Sequence, residues 1–412
     1  MEEVFTCCAG LDVHKESIEA CVRRIEPNGR LHQETRHWGT MTGDLLAMAE
    51  WMTAQGVTQV AMESTGVFWK PIFNILENRF SVLLVNARHI KQVPGRKSDI
   101  RDCQWIAQLL QHGLLKGSFI PPRSQRDLRD LTRYRTQLAN EKVRTANRIH
   151  KVLEDTNIKL SSVATDILGI SGRAMLEALI RGEEDPVKLA DLAQRRLRGK
   201  IPQLERALQG HLTEHHRFML QLLWKQLAEQ EKLIDELDGK IKKQTRPLAA
   251  ELDRLDAIPG VDRRVAEVVL AEVGANMQPF PSHENLASWA GMSPGNEESA
   301  GKRQRRRITP GNRWLKRTLA QAAWAASHVK NSYLASQYRR LASRRGKKRA
   351  LIAVGHSMLV IVYHMLKAGT TYADLRGDFF DHLEPKRLTH YYITRLERLG
   401  YKVTLESYAP AA

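Results

Sequence analysis

Cysteine is scarce in this chain, and its arrangement excludes more than its number does. All of it, Cys7, Cys8, Cys21 and Cys103, lies near the amino-terminal end. No CxxC pair and no downstream histidine pair accompanies it, which argues against a zinc site. So few thiols in a long chain fit reduced, buried side chains in a cytosol, so the expected location is cytoplasmic. The opening MEEVFTCCAG is acidic and lacks the basic and apolar regions of a signal peptide. The most apolar stretch, Leu351 to Leu366, is interrupted by Gly355, His356, Ser357 and His364. It reads as a buried helix, and no membrane partner is expected. There is no convincing internal repeat or low-complexity tract. His14, His215, His216 and His356 show no ligand spacing and are assigned no chemistry.

A chain of 412 residues is too long for one ordinary core, so two or three domains are expected. The formal net charge is +18, and its distribution is uneven. Residues 1–120 balance to zero, residues 121–250 contribute +7, and residues 251–360 contribute +10. A neutral head on a basic body is the footprint of a polyanion-binding protein.

The fold class expected is α/β plus all-α. In the head, Val4–His14, Ser17–Ile25 and Arg30–Trp38 read as strands in hairpin order. A helix over Met41–Ala54, a strand over Thr58–Ser64, a helix over Gly66–Asn78, a strand over Phe80–Asn86 and a helix over Asp99–His112 follow. That is the order of a ribonuclease-H-like, or RuvC-like, domain, placed at 1–120. Pro121-Pro122 ends it. A helical linker and coiled-coil region is expected over 121–247. One apolar seam runs through Leu128, Leu131, Leu138, Ile149 and Val152, and another through Leu220, Leu223, Leu227, Ile234, Leu237 and Ile241. Each seam serves either the chain's own bundle or a dimeric coiled coil. A mainly helical C-terminal domain occupies 248–412.

Four carboxylates stand out in the head. Asp12 closes the first strand and Glu63 the fourth, which are neighbours in such a sheet. Asp99 and Asp102, three apart, would share one face at the start of a helix. Carboxylates packed together repel unless a hard cation neutralises them, and Mg²⁺ with oxygen ligands is the usual solution. Taken singly, these positions are also ordinary surface choices. However, GLDVHK (Gly10–Lys15), MESTG (Met62–Gly66) and GRKSDIRDCQWIAQLL (Gly95–Leu110) resemble the three signature blocks of the DEDD transposases of the bacterial insertion-sequence family one-hundred-and-ten. The blocks fall in the family's order across the head. The resemblance implies that Asp12, Glu63, Asp99 and Asp102 are a catalytic, Mg²⁺-binding quartet.

A second stretch, roughly 250–328, is similar to the family's C-terminal transposase domain. There LASWAGMSP (Leu286–Pro294) leads to GNEESAGKRQRRRITPGNRWLKRTLAQAAWAA. The family carries a DNA-attacking serine followed closely by glycine, and Ser299 takes that place. Ala300 standing before Gly301, and Pro310 before Gly311-Asn312, depart from the pattern and keep Ser293 as a second candidate. From Ser299 to Arg317 the chain has lysines and arginines and no Asp or Glu. Lys302, Arg303, Arg305, Arg306, Arg307, Arg313, Lys316 and Arg317 therefore suit a phosphodiester. Leu255–Gly274 resembles a helix-hairpin-helix, in which Gly260, Arg263 and Arg264 would meet a phosphate at a helix N-terminus. An αα-turn packed in a core fits the same residues.

The function implied is an insertion-sequence recombinase that cuts and rejoins DNA through Mg²⁺ and a covalent phosphoserine. The resemblance also implies a structured guide RNA, element-end and target DNA, and a homo-oligomer (dimer or tetramer) whose subunits share one composite site. Two other readings fit parts of the sequence. One is a RuvC-like, metal-dependent junction nuclease using water, and the other an inactive nucleic-acid-binding regulator.

Overall fold

The computed structural model describes residues 4–64, 66–87, 90, 101–293, 298–299, 302–303, 311–383 and 385–406. It divides into two units, Met1–Pro121 and Pro122–Ala412.

In the first unit, β1 (Cys7–Val13), β2 (Ser17–Ile25), β3 (Leu31–Gly39), β4 (Gln59–Glu63) and β5 (Ser81–Val85) form a sheet of order β3-β2-β1-β4-β5. The first three strands are antiparallel neighbours, whereas β4 runs parallel to β1 and β5 parallel to β4. Side chains alternate between faces along each strand. Leu11, Ile18, Val60 and Met62 meet α1 (Thr42–Ala54) and α2 (Trp69–Leu76) on one face. On the other face Cys8, Ala61 and Val85 pack with Trp105, Ile106 and Leu109 of α3 (Asp102–Gln111). Cys21, Cys103 and Ala107 complete that layer. All the cysteines are free thiols, and burial pushes Cys8 and Cys103 up to about 12, which makes them inert packing groups.

The second unit is helical. Its frame is α4 (Arg123–Asp155), with α5 (Leu160–Val163), α6 (Ile170–Arg181), α7 (Pro186–Asp191) and α8 (Ile201–Leu208) leading to α9 (Glu214–Gln244). Arg135 meets Asp238, Lys142 meets Glu231, and Asp155 meets His216, so α4 and α9 run antiparallel. The two apolar seams of the sequence close on each other within the chain. Leu128 clusters with Ile241, and Ile149 and Leu153 cluster with Leu220, Leu223 and Leu227. Residues of α5 to α8 pack onto the latter cluster. Any self-association must therefore use other surfaces.

Next come α10 (Ala249–Asp256), α11 (Arg263–Val273), α12 (His283–Ala290), a hairpin of β6 (Glu298–Ser299) and β7 (Lys302–Arg303), and α13 (Arg313–Ala326). The chain ends through α14 (Tyr333–Arg345), α15 (Lys347–Ala368), α16 (Phe379–Leu383) and α17 (Pro385–Arg398). Within this unit α4 packs on both α9 and α11. Among the described residues α15 is the helix long and apolar enough to cross a membrane. It buries Val354, Met358, Leu359 and Val362 and packs on α12, α13 and α14, as a core helix does.

Candidate active site

Register decides the acidic cluster. Leu11 on β1 pairs with Met62 on β4, so Asp12 and Glu63 follow side by side at the same end of two parallel strands. Alternation puts Asp12 on the face of Cys8 and Gly10, and Glu63 on the face of Ala61, which is the face α3 covers. Gly10 lets the helix come close. A Cβ there would stand 2.3 Å from both the Cys103 carbonyl oxygen and the Ala107 nitrogen. The first turn of α3 thus lies directly on β1.

Arg101 is extended and forms the N-cap, so α3 begins at Asp102. This corrects the expectation of a helix starting at Asp99, which would have set both aspartates on one helical face. Asp99 itself lies outside the described residues. Asp102, in the first helical turn, is favoured there by the helix dipole.

Burial raises the Asp12 carboxyl above its ordinary value, and the charges of Asp102 and Glu19 raise it further, against the opposing effect of His14. His14 Nε2 stands 3.2 Å from Asp12 Oδ2. Glu19 is the cross-strand partner of Asp12, and Arg101 lies 3.6 Å from its carboxylate. His14 and Glu19 were not singled out from the sequence. Strand alternation was the available signal for His14, two residues beyond Asp12, whereas Glu19 needed the β1–β2 register. Among the described residues no three His, Cys, Asp or Glu side chains gather closely enough to hold one ion.

Ser299 lies on β6, paired with Lys302 across the hairpin, and Glu298 pairs with Arg303. Arg305, Arg306 and Arg307 lie outside the described residues. The segment carrying the hairpin leaves and re-enters the helical body at one point. A Cβ on Gly311, whose φ is +49°, would stand 2.2 Å from the Gly291 nitrogen. Glycine is required there both for the backbone angle and for the approach.

The next residue, Asn312, caps α13 by accepting from the Trp314 and Leu315 N–H groups at 3.0 and 3.1 Å. Its Nδ2 donates to Glu272 Oε2 at 2.7 Å. Glu272 is fully buried on α11 and takes a two-pronged contact from Arg133 at 2.7 and 2.8 Å. Arg129 stands 3.5 Å from the same carboxylate and donates to the Ala271 carbonyl. Burial lowers the Arg129 guanidinium to about 10, against the opposing charge of Glu272. This network joins α4, α11 and the start of α13. Sequence reasoning missed it, although an acid inside the apolar VVLAEVG run was the trace it left.

The other basic candidates are largely engaged. Arg263 pairs with Asp253 at 2.9 Å, and Arg264 pairs with Asp238 and Glu267 at 2.5 and 2.9 Å. Arg317 donates to Asn140 at 2.7 Å, and Arg313 lies over the Trp314 ring. Arg264 and Arg317, with Arg133 and Arg135, line a cavity of about 190 Å³ between α4, α11 and α13. The Asp262 carboxylate accepts from the Val265 N–H and so occupies the N-terminus of α11. A phosphate at that N-terminus would meet this negative charge. Gly260 instead serves close packing, since a Cβ there would stand 2.4 Å from the Ala322 carbonyl oxygen on α13.

Two family models match the chain. Residues 9–158 match the model of the DEDD type from the IS110 group, described as a transposase. Residues 252–339 match the model described as the transposase IS116/IS110/IS902 family. Together they cover more than half of the sequence. The chain belongs to the IS110 transposase family. No curated protein matches it significantly. The transposase is accordingly a DNA transposase/recombinase with DNA as its partner, and its DEDD type implies a divalent metal, commonly Mg²⁺. The first match spans Asp12, Glu63, Asp99 and Asp102, the second spans Ser299, and residues 340–412 lie beyond both.

Proposed function

We propose that the transposase moves its insertion sequence by a phosphoserine mechanism. Asp12, Glu63, Asp99 and Asp102 act in a ribonuclease-H-like head (1–120), and Ser299 acts from a C-terminal domain (248–412) joined by the helical region 121–247. The observation that carries the reading is the placement of Asp12 and Glu63 next after the paired Leu11 and Met62, at the same end of β1 and β4, with the first turn of α3 seated on β1. The strand order β3-β2-β1-β4-β5 supports the fold assignment.

The donor set fits a hard divalent cation. It offers carboxylate oxygens, Asp12 is half-buried, and burial together with the charge of Asp102 resists its ionisation. When bound, Mg²⁺ supplies electrostatic stabilisation of charge on the phosphate and the departing oxygen. Asp12, Glu63, Asp99 and Asp102 hold it there.

The serine does the covalent work. Its Oγ–P bond forms as a strand P–O bond breaks. The hydroxyl proton leaves the serine, and the departing strand oxygen takes up a proton. One phosphodiester is exchanged for another, so a new strand end can reverse the step without ATP. Lys302, Arg303, Arg305, Arg306 and Arg307 offset charge on the phosphorane. Arg313, Lys316 and Arg317 continue the basic surface. A water nucleophile would discard the bond energy. Target choice is delegated to a structured guide RNA, so this cytoplasmic protein needs backbone contacts more than base-edge readers. Subunits of a homo-oligomer bring the serine and the carboxylates into one site.

The deciding experiment incubates the protein with element-end DNA, the element's non-coding RNA and Mg²⁺, then denatures it and looks for covalently attached DNA. An adduct that vanishes in Ser299→Ala and survives in Ser293→Ala supports the mechanism. Cleavage without an adduct, unaffected by Ser299→Ala, would replace it with a junction nuclease. Binding without cleavage would replace it with a regulator. Withholding the RNA tests the guide, because unchanged cleavage at the same positions removes it from the mechanism.

A further inference from the structure

Where the second family match ends, α14 and, beyond it, α17 face a cavity of about 580 Å³. From α14 come Arg339, Arg340 and Arg344, the last two one helical turn apart. From α17 come Arg387, Tyr391 and Tyr392. One acid, Asp381, lines the same cavity. Phe380 forms its floor, with the Arg340 guanidinium 5.2 Å above the ring and Tyr333 stacked at 5.3 Å on it.

Tyr391 and Tyr392 are 52% and 55% exposed, and α17 buries none of its described residues. These two rings are therefore not spent on a core. The Tyr391 hydroxyl accepts from Arg395 at 2.9 Å, which orients the ring without covering it. The sequence from Arg339 to Arg349, RRLASRRGKKR, contains no acid. Guanidinium groups beside accessible aromatic faces are the pairing that holds unpaired nucleic acid. The charges follow the phosphates, and the rings take bases that a duplex would keep stacked internally.

We propose that the α14–α17 cleft binds an unpaired polynucleotide strand, with Tyr391 and Tyr392 stacking on bases and Arg339, Arg344 and Arg387 contacting phosphates. The residues lining this cleft include none of Asp12, Glu63, Asp99, Asp102 and Ser299. Binding is measured in chelator, so it can fail or succeed whatever the fate of the phosphoserine mechanism.

The test is fluorescence anisotropy of the full chain with labelled oligothymidylate, oligouridylate and a mixed-sequence DNA duplex. Tyr391→Ala with Tyr392→Ala should weaken unpaired-strand binding by about tenfold or more. Duplex binding should change by less than about twofold, because a duplex offers no free base faces. Tyr391→Phe with Tyr392→Phe should bind like the parent. Arg344→Gln and Arg387→Gln should each flatten the salt dependence of log K by about 0.7 for every phosphate that is no longer neutralised. A loss confined to oligouridylate assigns the strand to RNA, and one confined to oligothymidylate assigns it to displaced DNA. Both support the cleft. Parent-like binding of both unpaired probes by the alanine variant overturns the proposal, as does equal loss for unpaired and duplex probes. A change in sedimentation on removing the tyrosines also overturns it, because the face would then join copies of the chain. Circular dichroism melting confirms that the variants are folded.

Discussion

The head and the body hold their candidate chemistry in opposite ways. In Met1–Pro121, Asp12, Glu63 and Asp102 sit on regular elements, and their spacing follows from strand register and from one helix seated on Gly10. In Pro122–Ala412, Ser299 rides a short hairpin whose segment meets the helical body at Gly291 and Gly311. A register cannot slip by one residue without turning every side chain to the other face, so the carboxylates gain their placement from the fold itself. A hairpin has no such guarantee, and the buried Glu272 network anchors the residue where its segment ends. The difference suits the assigned tasks: a metal needs ligands fixed in advance, whereas a nucleophile must be delivered to DNA.

The comparison is broken most severely by removing the reacting groups. Ser299→Ala and Asp102→Asn should each lower strand transfer by at least about 10²–10³-fold while leaving nucleic-acid binding near that of the parent. The two should separate in the adduct assay on a pre-nicked substrate, and retained activity in either variant removes that residue from the site. Next comes the anchor. Glu272→Gln leaves Arg129 and Arg133 in the interior without their countercharge, with an expected loss of about 3–5 kcal/mol of unfolding free energy. Urea denaturation of the full chain reads this, and a loss under about 1 kcal/mol would show that the anchor is dispensable.

Gly10→Ala probes the other unit. The added methyl meets backbone atoms of α3, so about 1–3 kcal/mol of stability should be lost as the helix is pushed from β1. Strand transfer should fall with it, since Asp102 moves with the helix. A variant with parent-like melting and activity would separate the glycine from the carboxylate geometry. The smallest effect is expected at Glu231 on α9, where Lys142 of α4 and Arg173 of α6 meet it. Burial alone would raise Glu231, but Arg173 and Lys142 outweigh it and hold its carboxyl below the usual value. A lowered folded-state value means stability that is complete above the ordinary carboxylate range and lost as pH falls through the folded value. Arg173→Ala should therefore melt lower at neutral pH by an amount worth under about 1 kcal/mol, and the gap should close in acid. A gap unchanged by pH would assign the effect to the packing of Arg173 on Trp224.

Much of the head was legible because its signals are local. Alternation and the Pro27-Asn28-Gly29 turn locate β2 and β3, and the expected strand bounds differ from those observed by a few residues at most. The start of α3 was misplaced because Asp99 and Asp102 satisfy helical spacing, whereas the Arg101 backbone is extended and caps the helix. The α11 turn was open to two readings for a similar reason. Pro259-Gly260 announces a tight turn in either case, and only the folded chain shows the contact of Gly260 with α13 and the Asp262 cap. The apolar seams were visible in the sequence, but periodicity is the same whether the partner is the same chain or another.

By itself the sequence determined the neutral head and basic body, the alternation of strands and helices, and the family, and it supplied the candidate carboxylates and serine. These rest on composition, short-range periodicity and motif spacing, which survive without coordinates. Tertiary structure alone decided that α4 and α9 close on each other, that Glu272 anchors the end of the serine segment, that Glu19 and His14 attend Asp12, and that aromatic rings meet arginines between α14 and α17. Each of these brings together groups far apart along the chain or on different strands, and such contacts exist only when burial and register have chosen one packing among many.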